Sequence, residues 1–276
     1  MPVIDAHHHF WRYDRAEYDW IDDTMAALRR DFVAPDLADA MRAAGVQKAV
    51  SVQARQTLEE TRWLLSIAAA HDFIAGVVGW VPLASPALRT ELEPLAAGGK
   101  LRGVRHVVQG EPDPRFLERP DFNTGVAALR EFGLAYDLLV YERQLPAAIA
   151  FVDRHPGQVF VLDHAAKPRI RDRVLEPWRT HVRELARRPE VYCKLSGLVT
   201  EAARDAWTET DLRPYAEVVL EAFGPNRVLF GSDWPVCLAA CTYDRWVATV
   251  RALIDGLSAT ERDEIMGGTA RRAYHL

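Results

Sequence analysis

Eight short apolar runs recur along this chain, each followed by a stretch with helical signals, and this alternation restricts the fold more than any other feature. The runs are 3–7, 48–53, 74–81, 101–108, 135–141, 159–164, 191–195 and 227–232. They are rich in Val, Ile, Leu and Phe, as parallel strands covered on both faces must be. Helices are predicted between them at 35–44, 121–132, 144–155, 172–188, 211–223 and 243–256. Thr57 and Glu60 form a capping box, in which the hydroxyl accepts from a backbone N–H and the carboxylate reaches back to the cap. Ser85 before Pro86 marks another helix start. Ser258 and Glu261 form a second box, opening a helix expected to stop near Gly267-Gly268. Eight β-α units within 276 residues predict a (β/α)8 barrel, one domain over residues 1–276. A doubly wound sheet would normally carry a Gly-rich phosphate loop after its first strand. His7-His8-His9-Phe10-Trp11 stands there instead.

Hydrophobic residues make up 49% of the chain, enough for a sizeable core, and 34 Lys+Arg against 39 Asp+Glu give a net charge of −5. That balance argues against nucleic-acid or anionic-membrane partners, both of which favour basic surfaces. No apolar run approaches the roughly 18 residues of a membrane-spanning helix. Cys193, Cys237 and Cys241 lack CxxC spacing and read as free thiols. With no basic segment leading into an apolar stretch at the start, a reducing cytoplasm is the expected compartment. Homo-oligomerisation stays open. Residues 11–33 are polar and aromatic without strand character, a long loop and a candidate lid.

Function should gather at the C-terminal strand ends, where such barrels place their chemistry. Successive strand residues face opposite ways, so His7 and His9 point together and His8 points away. Converging imidazoles are unfavourable to bury unless something engages them. The remaining ends supply Gln53 and Arg55, then Trp80, Arg105 and His106, Tyr141, Asp163 and His164, Lys194 and Ser196, and finally Asp233 and Trp234. Several have plainer readings. Asp163 would equally orient a neighbouring arginine, Lys194 would serve as a structural ion-pair partner, and Trp80 and Trp234 would pack the barrel. His71, His155, His181 and His275 read as surface groups, and Cys237 and Cys241 as packing.

Asp5-Ala6-His7-His8-His9-Phe10-Trp11, Leu162-Asp163-His164 and Gly231-Ser232-Asp233-Trp234-Pro235, in that order on strands one, six and eight, resemble the amidohydrolase superfamily. The resemblance is to its lactonase branch, which includes fuconolactonases and 2-pyrone-4,6-dicarboxylate lactonases. It implies that His7 and His9 are the paired strand-one histidines, His164 the strand-six histidine and Asp233 the strand-eight carboxylate. Many members hold two metals with a strand-four lysine and a strand-five histidine. Here those strands offer Arg105 and His106, and Tyr141. A two-metal centre is not expected. A divalent ion such as Zn²⁺ could occupy His7, His9 and Asp233, yet none is expected to be required.

The expected reaction is the opening of a sugar lactone by water, with Asp233 as general base. His7, His9, His164 or Arg105 would supply donors for the oxyanion. Gln53, Arg55, Trp80, His106, Tyr141, Asp163, Lys194 and Trp234 form the expected substrate-binding palette. The alternatives are a pyrone dicarboxylate lactonase, with Arg55, Arg105 and Lys194 as carboxylate clamps, a metal-dependent decarboxylase of the same superfamily, and a non-catalytic sugar-binding barrel.

Overall fold

The computed structural model describes all 276 residues. Eight parallel strands stand in sequence order: β1 Ile4–His8, β2 Lys48–Val52, β3 Ile74–Gly79, β4 Leu101–His106, β5 Ala135–Leu138, β6 Phe160–Leu162, β7 Val191–Leu195 and β8 Val228–Phe230. Helices α1 Ala34–Ala44, α2 Leu58–Ala70, α3 Leu88–Ala97, α4 Pro120–Leu129, α5 Leu145–Asp153 and α6 Trp178–Leu185 follow strands one to six. After β7 come the short α7 Leu198–Glu201 and the longer α8 Glu209–Phe223, and after β8 come α9 Tyr243–Leu253, α10 Ala259–Asp263 and α11 Thr269–Ala273. This is the predicted (β/α)8 barrel. No helix is long and apolar enough to cross a membrane.

The seam between β1 and β8 closes at the upper rim. Asp233 N–H donates to His7 O at 2.8 Å, and His9 N–H donates to Trp234 O at 2.7 Å. Asp5 ties the seam from below: its Oδ1 accepts from Ser232 N at 2.8 Å, and its Oδ2 accepts from Tyr243 Oη at 3.1 Å. Gly231 is needed there, because a Cβ at that position would stand 2.8 Å from the His7 Cβ. Closure of the barrel therefore sets the relative positions of His7, His9 and Asp233.

Core packing follows the two faces of the sheet. Ile4, Val50, Val78, Val161 and Leu229 fill the barrel interior, closed from below by Ala270, Ala273 and Tyr274 of the C-terminal segment. A larger apolar layer joins the outer sheet face to the helices. The long loop after β1 is anchored. Trp11, Tyr18, Ile21, Leu28 and Phe32 are buried, and Trp11 and Phe32 pair backbone to backbone. Each such side chain contributes roughly 1.5–3 kcal/mol on burial.

Several local expectations are corrected. Thr57 caps α2, but Glu60 does not reach back to it. The carboxylate, itself buried, accepts from the part-buried Ala54 and Arg55 N–H groups of the β2–α2 connection instead. The helix at Ser85-Pro86 starts later, at Leu88, because Ser85 Oγ accepts from Ala87 N–H in a turn. The helix predicted over 172–188 holds only for Trp178–Leu185. The chain does not stop at Gly267-Gly268; a π-turn there continues into α11, and at Gly267 a Cβ would stand 2.3 Å from Pro2 O. His155 is buried, hydrogen-bonded to Asn123 Oδ1 at 2.9 Å, and is not a surface group.

Candidate active site

The strand-one histidines point as the alternation required. His7 and His9 face each other with Nε2 atoms 3.2 Å apart, while His8 turns away to Ser51 Oγ at 2.9 Å. The Asp233 carboxylate oxygen stands 3.4 Å from His9 Nε2, 3.7 Å from His7 Nε2 and 3.9 Å from His164 Nε2. Each imidazole is fixed through its other nitrogen. His9 Nδ1 meets Val52 O at 2.8 Å, and that carbonyl can only accept, so His9 turns an unprotonated Nε2 inward when neutral. His164 Nδ1 meets Ser196 Oγ at 2.9 Å. His7 Nδ1 lies 3.3 Å from Asp163 Oδ1 and 3.1 Å from Lys194 Nζ.

His164 reaches this cluster from an unusual backbone. His164, Ala165, Ala166 and Lys167 all hold φ between 49° and 59°. Left-handed backbone disfavours L-residues by ~1–2 kcal/mol each. The turn is held by Trp178 Nε1 donating to Ala165 O at 2.7 Å and by Lys167 N–H donating to His164 O at 2.8 Å. Gly197 makes room for the ring, since a Cβ there would stand 2.6 Å from His164 Nδ1.

Beneath the cluster lies a buried charge network. Lys194 Nζ contacts Asp137 Oδ2 at 2.5 Å and Asp163 Oδ1 at 2.9 Å. Arg105 donates from Nη1 to Asp163 Oδ2 at 2.9 Å and from Nη2 to the Gln53 carbonyl. Tyr274 Oη donates to Asp137 from below at 2.8 Å. Burial pushes the Asp163 carboxyl up, but the charges of Lys194, His7 and Arg105 outweigh it and hold it well below the usual carboxylate range. Burial pushes Asp137 up to about 6 against the opposing charge of Lys194. Burial also pushes Asp233 up, and the fields of His164 and His9 with the His9 hydrogen bond bring it below its ordinary value. Burial lowers His164 to about 4, with Asp233 and Asp163 resisting. His164 is therefore neutral near pH 7.

A cavity of about 780 Å³ opens above this floor, with His9, Arg105, His164 and Asp233 at its base and Tyr141 on its wall. The other sequence-predicted binding residues stand elsewhere. Gln53, Asp163 and Lys194 are buried below it, drawn down by the charge network and by the Arg105 carbonyl, to which Gln53 Nε2 donates. Arg55 pairs with Glu17 at 2.9 Å. Trp80 Nε1 donates to His106 Nδ1 at 3.3 Å, and His106 is held by Glu111 at 2.6 Å and stacked on Phe116. Trp234 packs edge-on against Phe32 and Phe10. Strand-end position alone did not separate these from residues that reach the cavity. Trp20, Gln109, Lys167, Thr200, Glu201 and Arg204 do line it and were missed. Thr200 and Glu201 sit on the short α7 and the others on turns and connections, with no periodicity to flag them. Trp20 alone had a signal, lying in the loop read as a lid.

The donor set fits a divalent ion. One oxygen of Asp233 and nitrogens of His7 and His164 lie within 4.8 Å of one another, and His9 adds an inward-facing nitrogen. The metal-capable group thus includes His164, which the expected set of His7, His9 and Asp233 lacked. Unshared pairs of neutral imidazoles facing one another and a carboxylate repel unless a proton or cation stands between them. Arg105 Nη1, 3.4 Å from His7 Nε2, supplies part of that positive charge.

Residues 4–276 match the model of the amidohydrolase family. The chain belongs to this family. It is 46% identical to an L-fucono-1,5-lactonase of Burkholderia multivorans, over 99% of this chain and 96% of the relative. It is 39% identical to an L-fucono-1,5-lactonase of Burkholderia ambifaria, over 99% and 95%. A crystal structure of an amidohydrolase from Burkholderia multivorans with zinc bound superposes with a TM-score of 0.95 at 46% identity, each chain fully covered. The expected resemblance to amidohydrolases thus holds along the whole chain.

Proposed function

We propose that this amidohydrolase hydrolyses a sugar lactone to the sugar acid. The observation that carries the reading is the Asp233 carboxylate, held among three imidazole nitrogens at the base of a polar cavity. The identity to L-fucono-1,5-lactonases along the full chain supports it. Asp233, ionised near neutral pH, takes a proton from water as the water attacks the lactone carbonyl. Arg105 contributes fixed positive potential to the developing oxyanion, and neutral His164 donates to it from Nε2 in the tautomer that accepts the Ser196 hydroxyl at Nδ1. The ring oxygen leaves with its electron pair and receives the proton held by Asp233.

His7, His9, His164 and Asp233 are the residues that would hold a divalent ion, which when bound supplies Lewis acidity and lowers the pKa of bound water. A lactone is an activated ester, and Asp233, Arg105 and His164 already provide a base and donors. Chelator-treated enzyme, with metal content followed by atomic emission, is therefore expected to keep most of its activity. Loss on chelation with recovery on adding Zn²⁺ would overturn that expectation.

The substrate proposed is a neutral hydroxylated lactone. Arg55 and Lys194, two of the clamps a dicarboxylate would need, are engaged by Glu17 and by Asp137 and Asp163. Arg105 is engaged by Asp163. Asp172 and Glu201 add acidic groups to a cavity wall that also carries Lys167, Arg169, Arg171 and Arg204. In competition at equal concentration, aldonolactones are expected to be opened ahead of pyrone or muconate-type lactones. Preference for the carboxylated lactones would reverse the assignment, and opening of neither would refute lactone hydrolysis.

A further inference from the structure

The left-handed turn after β6 presents two side chains. In a turn this tight, residues three apart eclipse, so Lys167 lies over the same face as His164, and both line the cavity. Strained backbone persists only where its surroundings impose it, and it concentrates at functional sites. Glycine would relieve the strain at either position but would remove an imidazole or an ammonium from the cavity. The other cations near the cavity are engaged or remote. Arg105 pairs with Asp163, Arg169 with Asp172, and Arg204 donates to Thr24 Oγ1 at 2.6 Å. Arg171 is exposed at the outer rim. Lys167 is part-buried, its ammonium in no ion pair or hydrogen bond and 5.4 Å from the centre of the Tyr141 ring. Lys167 shares the cavity lining with Asp233, His164 and Glu201.

We propose that Lys167 is a catalytic residue whose ammonium contacts the lactone's ester group and stabilises the negative charge that gathers on the ring oxygen. The inference rests on the lactone hydrolysis proposed above. The water oxygen bonds to the carbonyl carbon and Asp233 takes its proton. The bond from that carbon to the ring oxygen breaks, its electron pair goes to the ring oxygen, and the proton on Asp233 passes there. Lys167 takes no part in the proton transfer and acts by charge and hydrogen bonding.

The test uses the full chain and a six-carbon aldono-1,5-lactone. Lys167→Met keeps the apolar stem beside Tyr141 and removes the charge, whereas Lys167→Arg keeps the charge. Loss of a donor that acts mainly in the transition state is expected to lower kcat about 100-fold in Lys167→Met, with KM changed less than about threefold. Lys167→Arg is expected to keep at least about a tenth of wild-type kcat. Melting temperatures verify the fold, and Lys167→Gln is measured with the same expectation should Lys167→Met not fold. Wild-type kcat in a folded neutral variant overturns the role of Lys167 and leaves lactone hydrolysis standing. Equal losses in Lys167→Met and Lys167→Arg overturn the charge role. A wild-type chain that opens no lactone refutes the underlying reaction and this proposal with it.

Discussion

Asp233→Asn is expected to lower kcat for lactone opening by at least about 100-fold, the lower end of what a positioned acid–base group contributes. The substitution preserves size and the left-handed backbone at this residue, φ 57°, which Asn tolerates better than most residues. The seam hydrogen bond from its N–H to His7 O is a backbone bond and survives. What disappears is the basic oxygen facing His7, His9 and His164. Because the surrounding imidazoles outweigh burial and hold this carboxyl below its ordinary value, wild-type activity should persist down to the usual Asp range of ~3.9 and fall only below it. Turnover by a pH-indicator assay, beside a melting curve, decides the point. A folded Asp233→Asn protein with near wild-type turnover would remove Asp233 as the base.

Lys194→Met should destabilise the fold by ~3–5 kcal/mol, the penalty for breaking a buried ion pair from one side. Lys194 is fully buried and neutralises Asp137 and Asp163 together. Without it, Arg105 remains beside Asp163, but Asp137 keeps only the Tyr274 hydroxyl. Adding Asp137→Asn to the variant should therefore recover part of the loss, since it removes the charge left without a partner. Urea denaturation reads both effects as midpoint shifts at constant slope. A single variant as stable as wild type would mean that the network carries no net charge balance worth its desolvation.

The barrel was legible because its signal is redundant. Eight apolar runs in alternation with capped helices leave few ways to bury so much apolar surface, and errors of a few residues at helix ends do not change the answer. The clustering of histidines and aspartate at one rim was legible for a related reason. His7, His9, His164 and Asp233 stand at or just beyond strand ends, and strand direction fixes where those ends lie. Alternation also separated His8 from its neighbours correctly.

Depth was not legible. Lys194 and Arg105 are both cations at or near strand ends, yet Lys194 lies beneath the cavity and Arg105 at its base. Which side of that boundary a side chain occupies depends on partners from other strands: Asp137 on β5, Asp163 after β6 and Tyr274 from the chain's end. The sequence by itself determined the architecture, the family and the histidine–aspartate floor, because periodicity and strand order are local properties that add up along the chain. The tertiary structure alone decided which polar groups became buried support, which loops formed the cavity wall, and that Lys167 faces the cavity beside His164. Those outcomes arise from contacts between segments tens to hundreds of residues apart and from a left-handed turn that tertiary packing, not local preference, imposes.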